Sequence, residues 1–236
     1  MDKQEMKNIN DNDVKELKKT VIGKISSIFL LLGLCFFLPA GTIFYWEAWL
    51  YISSIILPIL LALKYLFNND PEVLRRRMET GEPRKPQRLI KMFANSMILG
   101  IFLIPGFDRR YDWSSVPIWL VITADLVFIG GYYLFFLVLK ENSFASRIVK
   151  VEKDVQKVIT TGPYSKVRHP MYSAIFVMLG FTPLALGSYW ALLSVFAMML
   201  VVVFRIRDEE EMLIKELDGY AEYMKKTKYR IIPGIW

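Results

Sequence analysis

The chain has 236 residues, 54% of them hydrophobic, and carries 30 Lys+Arg against 23 Asp+Glu, a net charge of +7. Its mean hydropathy of +0.32 is too high for an ordinary soluble domain. The single cysteine excludes a disulfide scaffold and a cysteine zinc cluster, and the single histidine excludes a multi-histidine metal site. Metal-free chemistry is the starting assumption.

Residues 1–20 are charged in both signs, unlike a secretory leader, and predict a cytosolic lead-in with at most a short interfacial helix around Val14–Leu17. Five apolar blocks follow. Ile25–Trp46 holds 22 residues without a charge, enough for one span, since crossing a bilayer takes about 20 apolar residues. Ala48–Leu63 is short but extends past Lys64 to Phe67, because a lysine at a helix end snorkels to the interface. Met92–Phe107 is equally marginal. Trp113–Leu139 is long, with Asp125 inside it. A charge at mid-span must be paired or protonated; the expected arrangement is a hydrogen bond to a neighbouring tyrosine or backbone group, with a place on a lipid-access route as the alternative. The last block, Pro170–Phe204, has 35 uncharged residues, interrupted by Gly180, Pro183 and Gly187. It reads as a tight helical hairpin with arms Met171–Phe181 and Ser188–Phe204.

The expected fold is therefore all-α: a polytopic bundle of five to six transmembrane helices ending in that hairpin. Of the 30 basic residues, 28 fall in segments that a six-span layout places on one side; Arg109 and Arg110 lie opposite, beside Asp108 and Asp112. The positive-inside rule makes that side the cytosol, with both termini there. Trp46, Trp49, Trp113 and Trp119 fall at or near span ends, as an aromatic belt requires. Three regions follow: a cytosolic segment 1–24, helices over 25–140, and a region 141–236 containing the hairpin and a polar tail. Cys35, within an apolar run, is a packing residue. The basic run Arg75–Arg77 and the pair Arg84-Lys85 read as orientation signals touching anionic lipid heads. They lack the interleaved aromatics of a nucleic-acid site.

The densest polar stretch is 150–172, KVEKDVQKVITTGPYSKVRHPMY. Pro170 suits the first turn of the next helix, and the unpaired N–H groups of a helix start suit an anionic group. If the hairpin is tight, its two ends meet at the membrane surface. Tyr164, Arg168, His169 and Tyr172 then come close to Arg205, Glu209 and Glu210, with Arg205 and Glu209 one helical turn apart. On residues alone, a site and a helix-end ion pair capped by histidine are equally good readings.

Gly162-Pro163-Tyr164, Arg168-His169-Pro170-Met171-Tyr172, the apolar hairpin, Arg205 with Glu209-Glu210, and Tyr220-Ala-Glu-Tyr223 together resemble the isoprenylcysteine carboxyl methyltransferase family, which is related to the phospholipid N-methyltransferases. The likeness covers about 90 C-terminal residues. It implies an S-adenosylmethionine-dependent methyl transfer from a cytosolic pocket to a lipophilic substrate entering from the bilayer. It further implies cofactor contacts from Lys150, Gln156, Lys157, Val158, Ile159, Tyr164, Arg168, His169, Pro170, Met171, Tyr172 and Glu209. Arg205 would face the substrate, with Glu209 and Glu210 as its catalytic neighbours. Gln156 stands where the eukaryotic enzymes have histidine. No G-x-G-x-x-G loop points to a Rossmann cofactor site. Open alternatives are a phospholipid amine or small thiol as acceptor, or a non-catalytic membrane subunit.

Overall fold

A computed structural model describes residues 11–78, 85–144 and 156–236. All regular elements among them are helical. They are α1 (Asp11–Ala40), α2 (Trp46–Asn69), α3 (Pro71–Met78), α4 (Lys85–Tyr111), α5 (Ile118–Glu141), a 3₁₀ turn (Gly162–Ser165), α6 (Pro170–Ala185), α7 (Leu192–Glu216) and α8 (Tyr220–Lys226). Four of these, α1, α2, α4 and α5, are long and apolar enough to cross a membrane. Leu30, Leu57 and Leu126 on three of them are each more than 60% exposed. Bare leucines over whole helical faces fit hydrocarbon, where water would penalise them. The chain is an integral membrane protein built as a polytopic helical bundle.

The marginal blocks become full spans because polar flanks join their helices. α2 runs 24 residues and α4 runs 27. Two expected boundaries move. The block Ile25–Trp46 is not one helix: α1 stops at Ala40, and Gly41 takes the left-handed conformation (φ +66°) that commonly ends a helix. Its N–H returns to the Phe37 carbonyl at 3.0 Å. The short interfacial helix expected around Val14–Leu17 is simply the first part of α1. α3 starts at Pro71, with the Val73 N–H donating to the Asp70 carboxylate at 3.3 Å, and buries Val73 and Leu74.

The two ends of the bundle are distinct. At one, Leu17 of α1, Leu66 of α2, Val73 and Leu74 of α3, Leu139 of α5 and Met171 of α6 form one apolar cluster. At the other, the tip of the α6–α7 hairpin meets the start of α2 and the end of α4. Tyr45 donates to the Leu186 carbonyl at 2.5 Å, and Ser188 donates to Asp108 at 2.5 Å. α6 therefore passes through the same layer as the long helices, although its 16 residues span only about 24 Å at 1.5 Å each. Its arm is longer than Met171–Phe181. Trp46, Trp49, Trp113 and Trp119 all gather, exposed, at the end with the hairpin tip.

α5 packs most extensively on α6, and α4 lies between α1 and α7. Gly131 permits the first contact: a Cβ there would lie 2.9 Å from Met178 Cγ and 3.2 Å from the Met178 backbone nitrogen. α7 buries Val195, Met198, Val202, Ile206, Glu210 and Met212 at helical spacing, so one stripe stays against the bundle after the apolar stretch ends at Phe204. That stripe reaches Glu210 at the first end of the bundle, and Arg205 and Glu209 flank it there. Cys35 is buried in the central core with Phe36, Tyr51 and Phe128, a packing position. Asp125 is buried (3% exposed) and neither carboxylate oxygen has a hydrogen-bond partner. The expected tyrosine bond is not made: Tyr51, its neighbour, pairs with Thr182 at 2.7 Å instead, and Ser54 is the polar side chain beside Asp125.

Candidate active site

The site grows from the two ends of the hairpin. The 3₁₀ turn brings Tyr164 over the end of α5, where Asn142 donates to its hydroxyl at 2.8 Å. Four residues on, Arg168 and His169 sit at the start of α6, with Pro170 in the first turn as expected. α7 supplies Arg205 and Glu209. They are joined through Tyr172: Arg205 Nε donates to the Tyr172 hydroxyl at 2.7 Å, and that hydroxyl donates to Glu209 at 2.7 Å. Arg205 Nη1 also donates to Gln87 of α4 at 2.8 Å. Gln87, fully buried, in turn donates to Asp208 at 2.5 Å. The guanidinium plane is thus fixed by neutral partners on two other helices.

Glu210 belongs to a different cluster. It is 3% exposed, receives Arg168 Nε at 2.7 Å and Arg230 Nε at 2.7 Å, and lies 3.2 Å from His169 Nε2. Burial alone would raise its carboxyl; hydrogen bonds from His169, Arg168 and Arg230 outweigh that and hold it at about 2. Arg168 Nη1 also reaches the Thr227 and Lys228 carbonyls at 3.0 and 2.7 Å. The backbone N–H groups of Arg168 and His169 donate to the carbonyls of Tyr229 and Arg230 at 2.9 and 2.8 Å. Tyr223 donates to the Tyr164 carbonyl at 2.6 Å. The C-terminal tail is therefore latched along the Arg-His-Pro segment, with Glu210 at its centre.

A cavity of about 300 Å³ lies between these elements. Ligand sites usually span about 300–1,000 Å³. Its wall includes Gln156, Lys157, Val158, Ile159, Tyr164, Arg168, His169, Pro170, Met171, Tyr172, Arg205 and Glu209. Of the other residues expected from sequence, Glu210 is not on the wall but in the tail latch, and Lys150 lies outside the described residues. The wall also holds residues that sequence reasoning did not select, among them Arg77, Asn142, Phe144, Met212, Tyr220 and Tyr223. The Tyr220–Tyr223 pair was part of the recognised pattern without a role attached to it. Arg77 was hidden in a run that reads as an orientation signal; it lies 5.1 Å over the Phe135 ring and donates to Met171 Sδ at 3.6 Å.

Glu209 is the acidic group on the wall among the described residues. Burial, then the charges of Glu210 and Glu209, push the Tyr220 phenol up, so it keeps its proton. Tyr220 is buried, and its hydroxyl has no hydrogen-bond partner. A buried donor left unpaired costs about 1–3 kcal/mol, and the burial of the hydroxyl itself keeps it off the open face of the cavity. The cavity thus offers arginines for an anion, one carboxylate and several aromatic faces for a cation, and apolar side chains between them.

Residues 121–215 match the model of the Isoprenylcysteine carboxyl methyltransferase (ICMT) family. The match starts in α5 and ends in α7, so it covers the hairpin and the residues at its two ends from Tyr164 to Glu210. The likeness carried by the motifs is borne out over this stretch. The family is one of methyltransferases, and the helices are those of a membrane protein. No curated protein matches the chain.

Proposed function

We propose that this chain, similar to the ICMT family across its hairpin, transfers the methyl group of S-adenosylmethionine to a lipophilic acceptor, the carboxylate of an isoprenylcysteine-like molecule. The observation that carries the proposal is that both hairpin ends deliver their polar residues to one cavity.

The residues fit the cofactor's mixed chemistry. Gln156–Ile159, Tyr164 and His169–Tyr172 would hold it, and Glu209 would balance its positive centre. When bound, S-adenosylmethionine supplies an electrophilic methyl on a sulfonium, which a carboxylate, ionised at neutral pH, displaces in line without a general base. What remains for the protein is placement at about 3–3.5 Å and exclusion of water. Arg205 suits the acceptor because Tyr172 and Gln87 fix its plane in advance, and a planar fork matches a carboxylate. An amine acceptor is the second reading; it must first lose a proton, and Glu209 is the carboxylate on the wall that would take it.

The cavity lies at the end of the bundle that collects the basic segments, which the positive-inside rule places in the cytosol. The acceptor enters from the bilayer. Calorimetry with S-adenosylmethionine on detergent-purified protein is expected to show binding, weakened at least tenfold by His169→Ala or Glu209→Ala. If both variants bind like the parent, the site is elsewhere. Labelled methyl transfer to prenylcysteines, phosphatidylethanolamine and small thiols then selects the acceptor.

A further inference from the structure

A second hollow of about 490 Å³ lies on the other side of Pro170, the residue that lines both. Its wall is apolar: Leu134 of α5, Phe176 and Val177 of α6, and Ile231 and Ile232 of the tail. The charged side chain on it among the described residues is Lys166, exposed in the loop before α6. Phe176 and Val177 come six and seven residues after Pro170, and Leu134 seven before Glu141. At 1.5 Å per residue the hollow reaches about 10 Å down the helices from the level of that loop. Its depth is that of the outer part of the hydrocarbon layer, and its basic group is at headgroup level.

We infer that this groove holds an acyl chain of an anionic membrane phospholipid, with the lipid phosphate on Lys166. A dry apolar hollow forfeits dispersion contacts on its lining. In a bilayer the molecules at hand to restore them are acyl chains, and a lysine at headgroup level selects an anionic head. None of Arg205, Tyr172 or Glu209 lines the groove, so its occupant touches no group through which the methyl acceptor would react. This is a resident lipid and not the acceptor.

The position gives the lipid a regulatory consequence. Ile231 and Ile232 form one wall, and the tail that carries them is the segment latched to the start of α6. Ser173 donates to the Ile231 carbonyl at 2.6 Å, next to the bonds from the Arg168 and His169 amides. A chain seated between α6 and Ile232 presses the tail onto that latch. The lipid's effect on cofactor affinity rests on the methyltransferase reading; lipid binding and latch closure do not.

The test uses native mass spectrometry and hydrogen exchange on the full chain in detergent with added phosphatidylglycerol or phosphatidylcholine. Phosphatidylglycerol is expected to be retained in preference, and Lys166→Ala should cut that preference about fivefold, the worth of one lysine near an anionic surface. Leu134→Trp, which fills the hollow from α5, and Ile232→Gln, which wets it from the tail, should each lose the retained lipid. In the parent, phosphatidylglycerol should slow exchange of the Arg168 and His169 amides. Parent-level retention by either folded variant, or a preference unchanged in Lys166→Ala, overturns the site. Retention without slower exchange overturns the latch. Absence of S-adenosylmethionine binding in the same sample would instead refute the methyltransferase reading and leave the lipid result standing.

Discussion

Two glutamates adjacent in sequence do different work because a helix turns about 100° per residue. Glu209 meets the cavity and takes the Tyr172 hydroxyl, whereas Glu210 is clamped by Arg168, His169 and Arg230. Glu210→Gln leaves buried cations without their counter-charge, a loss of about 3–5 kcal/mol for a broken buried pair. The native Glu210 carboxyl is lowered from 4.5 to about 2, so its stabilisation is complete above about pH 4.5 and lost as pH falls from there through 2. Thermal unfolding in detergent should therefore show the parent losing stability over this window, and Glu210→Gln losing less. Arg205→Ala should slow methyl transfer by about 2–5 kcal/mol, or roughly 30- to several-thousand-fold, with cofactor affinity much less affected. Arg205→Lys should recover only part, since one ammonium cannot serve Tyr172, Gln87 and a carboxylate with planar geometry. Gln87→Leu should lower kcat about 10- to 150-fold, the worth of one hydrogen bond to a charged group, at unchanged cofactor affinity. A fully active Gln87→Leu would show that Arg205 needs no help in orientation.

At the level of elements, the tail acts as the missing wall of the α6–α7 hairpin. The start of α6 has backbone donors with no partner inside the helix, and Arg168 and His169 give theirs to Tyr229 and Arg230. Ile231 then packs with Met198, Val202 and Ile206 of α7, and Arg230 lies 5.2 Å over the Trp236 ring. Removing residues 229–236 should leave the helical content almost unchanged, because no α-helix ends there. It should nonetheless weaken S-adenosylmethionine binding more than tenfold, since Arg168, His169 and Glu210 all lose partners. Circular dichroism and calorimetry on the truncated chain check this pair of outcomes. Full affinity without the tail would mean that the latch supports only itself.

The whole molecule divides between a basic end that holds the site and an end ringed with tryptophan that holds the hairpin tip. Asp108, almost fully buried, anchors the latter by accepting bonds from the Ser114 backbone N–H and hydroxyl at 2.7 Å each and from Ser188. If the basic end faces the cytosol, a cysteine at position 165 should react from that side only and one at position 115 from the other, in a Cys35→Ser background. Both positions are exposed, one at the end of the 3₁₀ turn and the other in the loop between α4 and α5. The reverse pattern would invert the orientation. Labelling of both from one side would break the bundle described above.

Membrane class, helical architecture, the hairpin and the meeting of Tyr164, Arg168, His169 and Tyr172 with Arg205 and Glu209 were legible in the residues themselves, whereas Gln156–Ile159, Pro170 and Met171 came only through the family likeness. A charge-free run of 35 residues admits few other solutions in a bilayer, and the RHPMY and R-x-x-x-EE patterns lie at its two ends, so closing the hairpin brings them together. Partners far apart in sequence were not legible. Nothing local marks Gln87 as the support of Arg205, 118 residues away, or Arg77 as part of the wall, because an arginine in a basic loop looks alike wherever its side chain goes. The split between Glu209 and Glu210 likewise depended on where the tail lies, and the surroundings of Asp125 depended on helix packing, since its tyrosine neighbour bonds to α6 instead. Apolar length and charge are properties of consecutive residues, and they determined how this chain crosses the membrane. Which polar group meets which is a property of helix rotation and tail placement, and the tertiary structure alone decided it.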